Sequence, residues 1–208
     1  MTAILYSFRR CPYAMRGRMA LSAAGIEYEH REVLLRDKPD EMLEASAKGT
    51  VPVFIKEGGE VIDESLDVMH WALAQNDSEG WLDTDMSAAS ALIAQNDGDF
   101  KHHLDRYKYK SRYDDTAKRG DVDLDHRAQA MKIVGAYETA LTGNAGLLGK
   151  TSLADIAIFP FMRQFAATQP EWWAAQSQAP RVRDWLTRHI ESPRFKTIMT
   201  KYPLWTPA

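Results

Sequence analysis

RRCPYAMR, residues Arg9 to Arg16, carries the single cysteine of a 208-residue chain. The residues before it, AILYSF (3–8), are short, apolar and strand-like. From Pro12 to Ala24 the pattern turns helical, with Met15, Met19 and Ala23 recurring on one face and Gly25 as a stop. Cys11 therefore sits where a strand hands over to a helix. At that place the unpaired N–H groups and the positive end of the helix dipole favour a thiolate. Arg9 and Arg10 add charge if they face the thiol, and Pro12 fixes the first turn without wasting a donor. The thiolate is the nucleophilic form of cysteine. Ala14 stands where a Cys-X-X-Cys motif would hold its second thiol, so a disulfide formed at Cys11 must be resolved from outside.

Working outward, EYEHREVLL (27–35) reads as a second strand, and strand, helix and strand together make a β-α-β unit with parallel strands. RDKPDEMLEASAKG (36–49) is a loop with a short helical stretch. VPVFI and EVI flank Gly58-Gly59, a hairpin signal. Asp63-Glu64-Ser65 then introduces LDVMHWALA, a third helix with Ser65 near its amino end. Residues 1–75 thus form one α/β unit, and the polar, aperiodic stretch that follows is a linker (76–86). From 87 to 208 the patterns are helical, at roughly 87–112, 122–142, 152–167, 178–190 and 193–200, an all-α domain. Ser152 and Asp155 stand at capping-box spacing, and Pro160 predicts a kink in the helix they start.

Composition excludes several classes of function. The formal charge is −3, with 45% hydrophobic residues and no apolar run long enough for a membrane span. The start, MTAILYSFRR, lacks the basic-then-apolar order of a secretory signal, so the cytoplasm is the expected compartment. No clustered basic face suggests nucleic acid. The basic and aromatic stretch Phe100 to Asp115 is broken by acids and reads as a solvated helix face. One thiol rules out an internal disulfide and a Cys/His zinc cluster, and the six histidines show no i,i+4 pairing, so no metal is expected.

CPYAMR, LRDKP, VPVF, DES and SLADIA, in this order over nearly the whole chain, resemble the cytosolic glutathione transferases. They are most similar to the cysteine-containing, glutaredoxin-like branch that includes the omega class and the dehydroascorbate reductases. The resemblance implies a thioredoxin-like first domain followed by an all-α domain, with glutathione as co-substrate and Cys11 at the catalytic position. It implies a cis Pro52 that turns Val51 outward to pair with the cysteinyl part of glutathione as an added strand. Ser65 and Glu64 would take the γ-glutamyl carboxylate and ammonium. Lys38, with Leu35 nearby, would meet the glycyl carboxylate. The usual Asn-Pro ahead of the Val-Pro turn is replaced here by Ser46-Ala47-Lys48-Gly49. The implied activity is glutathione-dependent thiol transfer on a small disulfide substrate, and the branch commonly forms homodimers. Two alternatives stand beside it: conjugation of glutathione to a small electrophile, with Tyr6, Ser7 or Tyr13 as hydroxyl donor and Tyr107, Tyr109 and Trp205 as aromatic lining, and a non-catalytic binding module.

Overall fold

The computed structural model describes residues 2–207. By contact the chain divides into two compact units: the residues up to Trp81 together with those from Glu191 onward, and Leu82–Ile190.

The first unit is built on a four-stranded sheet. Strand β1 (Ile4–Ser7) leads through helix α1 (Pro12–Ala24) to β2 (Glu29–Glu32), then come α2 (Asp40–Ala45), β3 (Val53–Ile55), β4 (Val61–Ile62) and α3 (Ser65–Gln75). The strand order is β2-β1-β3-β4. β1 runs parallel to β2, as a helical crossover requires, and antiparallel to β3 with Tyr6 opposite Val53. β3 and β4 form the hairpin expected at Gly58-Gly59, where Gly59 takes a φ of 86°. α1 opens on Pro12 and closes at Gly25, whose φ of 73° lets the chain turn back on its own last carbonyls. Its apolar face buries Met15 and Met19 completely or nearly so, each contributing about 1.5–3 kcal/mol by transfer from water. Gly17 lets α1 lie close to α3 and to Pro52: a Cβ there would be 3.3 Å from Val68 and 3.5 Å from Pro52. Tyr6, Ala14, Val33, Met42, Val51 and Val53 make the core on the side of the sheet that carries Cys11.

The helical pattern placed the chain's last residues with the second domain, but from Glu191 they group with the first unit. After α10 (Pro193–Ile198), Trp205 N–H donates to the Glu32 carbonyl at 2.9 Å, and its ring packs edge-on against Tyr6 at 5.8 Å. The Arg31 guanidinium lies 4.3 Å from the same indole.

The second unit is helical throughout its regular structure. It contains α4 (Met86–Gln95), a π-helical turn (Asn96–Phe100), α5 (Lys101–Lys108), a 3₁₀ turn (Lys110–Arg112), α6 (Leu124–Ala140), α7 (Leu153–Ala166) and α8 (Pro170–Ala175), and α9 (Pro180–Glu191) begins within it. The helix expected over 87–112 is therefore three pieces, with the wider turn at Asn96–Phe100 between the first two. α8 has no counterpart among the expected helices, and α7 continues through the buried Pro160. At the start of α7 the fully buried Asp155 accepts from Ser152 N–H (2.9 Å) and Oγ (2.8 Å), Leu147 N–H (2.8 Å) and the Trp185 indole (2.9 Å).

Candidate active site

Cys11 occupies the residue before the first turn of α1, with extended backbone (φ −71°, ψ 123°) and no side-chain capping hydrogen bond. Its own N–H is held by the Phe8 carbonyl at 3.0 Å, and its carbonyl accepts from Met15 N–H at 3.0 Å. The backbone is thus fixed while the half-buried thiol is left to point across the sheet. There it donates to the Val51 carbonyl at 3.8 Å. Forty positions of sequence are bridged because β1 and β3 pair with Tyr6 opposite Val53, which puts the residues just before β3 beside the end of β1. The Val51–Pro52 peptide is cis.

The two arginines ahead of Cys11 make other contacts as well. Arg10 is exposed, its guanidinium 5.5 Å from the Phe8 ring, and Arg9 fixes Glu32 through its backbone N–H at 2.7 Å. A buried cation whose charge interacts with the thiol is Arg18, two turns along α1. It donates to Ser7 Oγ at 3.0 Å and to the Arg9 carbonyl at 2.6 Å. Burial draws its pKa down, against which the attraction of Tyr28, Glu32 and Cys11 acts. Sequence pattern did not single out Arg18, because a basic residue on a helix looks the same whether it faces water or an anion.

Ser65 is the buried first residue of α3, and its Oγ accepts from the fully buried Arg16 at 3.5 Å. Glu64, just ahead, receives Lys48 at 2.7 Å, and Asp63 receives the same ammonium at 3.0 Å and Ser46 Oγ at 2.6 Å. The Ser46 hydrogen bond, then Lys48, holds the Asp63 carboxyl below its ordinary range. Ser46 and Lys48 belong to the replaced Asn-Pro segment, so this loop is tied down by polar contacts to the start of α3. Lys38 folds over Gly49, where the chain turns with φ 59°; its Nζ lies 3.6 Å from the point a Cβ on Gly49 would occupy. These contacts bring Cys11, Val51 and Pro52, then Glu64 and Ser65, and the Lys38 side chain into one neighbourhood of the first unit. Leu35 lies exposed on the turn closed by Leu34 and Asp37, apart from these contacts.

Of the hydroxyls that offered an alternative, Tyr6 and Ser7 are engaged inside the fold, while Tyr13 is half-buried with the Arg16 guanidinium 5.3 Å from its ring. Tyr6 is buried and its oxygen accepts from Arg31 at 2.7 Å, while Ser7 is buried against Arg18. Tyr107 is buried too, donating to Gln169 at 3.0 Å, and burial pushes its pKa up to about 12. Tyr109 accepts from Gln164 at 3.2 Å.

Residues 5–80 match the family described as glutathione S-transferase, N-terminal domain, and residues 91–188 the one described as glutathione S-transferase, C-terminal domain. A probable glutathione transferase of Aplysia californica is 32% identical over 95 residues, 46% of this chain and 97% of that protein. Glutathione S-transferase omega-1 of Mus musculus is 39% identical over 62 residues, 30% of this chain and 26% of that protein. Among solved structures, glutathione transferase Omega 1C of Trametes versicolor superposes with a TM-score of 0.77 at 19% identity, covering 95% of this chain and 90% of that one.

Proposed function

Because the chain belongs to the glutathione transferase family, we propose that it uses glutathione in a one-thiol exchange cycle centred on Cys11. The Cys11 thiolate attacks the glutathionyl sulfur of a mixed disulfide between glutathione and a small thiol. The sulfur–sulfur bond breaks, the small thiol leaves as thiolate and takes a proton from solvent, and Cys11 is left disulfide-bonded to glutathione. The thiolate of a second glutathione attacks the glutathionyl sulfur of that bond. Oxidised glutathione departs and Cys11 returns as thiolate, so each turnover exchanges one mixed disulfide and one free glutathione for the free small thiol and oxidised glutathione. Reaction rates follow the thiolate fraction of the attacker and the acidity of the leaving thiol.

The observation that carries this reading is the placement of the Cys11 thiol at the start of α1, 3.8 Å from the carbonyl that precedes the cis Pro52. Glutathione laid along Val51 as an added strand would bring its sulfur to that thiol. Its γ-glutamyl carboxylate is assigned to Ser65 and the α3 amino end, with Arg16 beneath supplying charge. Its ammonium is assigned to Glu64, displacing Lys48, and its glycyl carboxylate to Lys38. The engaged Tyr6 and Ser7 hydroxyls leave the conjugating alternative without those two donors. Intact mass measurement after exposure to oxidised glutathione tests the intermediate. Wild type is expected to gain one glutathionyl group and lose it on adding glutathione, whereas Cys11→Ser gains none. An unmodified wild type, or a modified Cys11→Ser, contradicts the cycle.

A further inference from the structure

We propose that His102, His103 and His126 form a binding site for a divalent transition-metal ion of the zinc type, between α5 and α6 of the second unit. His102 and His103 are neighbours on α5, and consecutive helical residues point about 100° apart, so the two rings stand nearly at right angles. His126 meets both from the first turn of α6, whose start is fixed by its own N–H donating to Asp123 Oδ1 at 3.0 Å. The ring centroids lie 5.1 Å apart for His102 and His103, 5.1 Å for His103 and His126, and 5.7 Å for His102 and His126. One ligating nitrogen from each residue falls within 4.8 Å of the others.

The chemistry of the contact points the same way. Nδ1 of His103 and Nδ1 of His126 are 2.8 Å apart, so one proton is shared between two lone pairs that face each other. A metal ion takes the place of that proton. Nitrogens bound tetrahedrally at about 2.0–2.1 Å stand about 3.3 Å apart, so the pair opens by a few tenths of an ångström as the third ring closes in. A metal binds the neutral ring of each histidine. Three imidazoles without a carboxylate suit zinc, nickel or copper over magnesium or calcium, and they leave a fourth position for water. One group opposes the ion: Arg106 donates to His102 Nδ1 at 3.0 Å while lying 4.5 Å from the Tyr113 ring. Its guanidinium must swing away from His102 when the metal enters.

The test is calorimetric titration of the tag-free full chain, stripped with a chelator, with zinc chloride, and a parallel titration with cobalt(II) followed by visible absorption. One zinc per chain with a micromolar dissociation constant is expected, together with the intense visible bands of four-coordinate cobalt. His103→Gln and His126→Gln, checked for folding by circular dichroism, should each weaken binding by at least about tenfold. Arg106→Gln should tighten it. Zinc binding no stronger in wild type than in His126→Gln, or cobalt spectra of the six-coordinate aqueous ion, would overturn the site and leave a proton-bridged histidine pair. Unchanged affinity in Arg106→Gln would overturn the competition assigned to that residue.

Discussion

A buried guanidinium is stable only where hydrogen bonds and opposite charge offset its desolvation, and α1 buries two of them, Arg16 and Arg18. Arg16 reaches Ser65 and Arg18 is electrostatically coupled to Cys11, so their loss should affect different steps. Ser65→Ala is expected to raise the KM for glutathione about tenfold with little change in kcat, the size of one hydrogen bond to a charged group. Arg18→Met is expected to slow alkylation of Cys11 by iodoacetamide several-fold at neutral pH; an unchanged rate would mean that the helix end alone governs the thiol. At this scale the sequence was informative wherever a residue type has one backbone use. Cys11 before Pro12, Pro52 after Val51 and Ser65 at the head of an apolar helix all stand at junctions. Arg16, Arg18 and Lys48 carried no such mark, since their partners lie 9 to 49 positions away.

The elements α7 and α9 are joined by two groups that a change of pH separates. Asp155 gathers four donors in full burial; Asp155→Ala orphans them and is expected to lower unfolding free energy by about 3 kcal/mol in urea titration. Ser152–Asp155 spacing was legible because a capping box is local, but Trp185 arrives from 30 residues away. His189 stacks on Phe159 at 4.9 Å and meets Trp185 at 5.0 Å. Burial pulls its pKa from 6.5 down to about 4. A depressed folded pKa means the neutral ring is the one the fold accepts, so its stability is fully present above pH 6.5. It is lost as pH falls toward 4 and below, about 3 kcal/mol in all. Urea unfolding at a series of pH values should show this acid slope in wild type and lose it in His189→Phe. The difference between the two proteins isolates the histidine from Asp155, whose folded pKa is raised by burial and whose contribution runs the other way. The short α8 escaped the sequence because six residues, PEWWAA, are too few to display a helical period.

For the molecule as a whole, the order of elements over residues 4–75 was readable because each strand and helix has its own period and stop. The return of the last residues to the first unit was not, because a short helix and the aperiodic tail after it give no sign of where they dock. That return covers the outer edge of β2: Leu204 bridges Glu32 in parallel, and Trp205 lies over Tyr6 and Arg31. Covering an edge strand removes a template for unwanted pairing. Trp205→Ala is expected to cost about 2 kcal/mol of stability and to speed hydrogen exchange at Glu29–Glu32; unaltered exchange there would show that the edge holds without the tail. The chain belongs to the glutathione transferase family, and its one cysteine stands at the start of α1. The measurement to make first is glutathione-dependent reduction of a small mixed disulfide, run beside conjugation to an aryl halide, for wild type and Cys11→Ala. Reduction that is robust in wild type and falls at least about a thousandfold in the variant is the expected result. Reduction that survives the substitution, or a wild type that conjugates but does not reduce, would contradict the role assigned to Cys11.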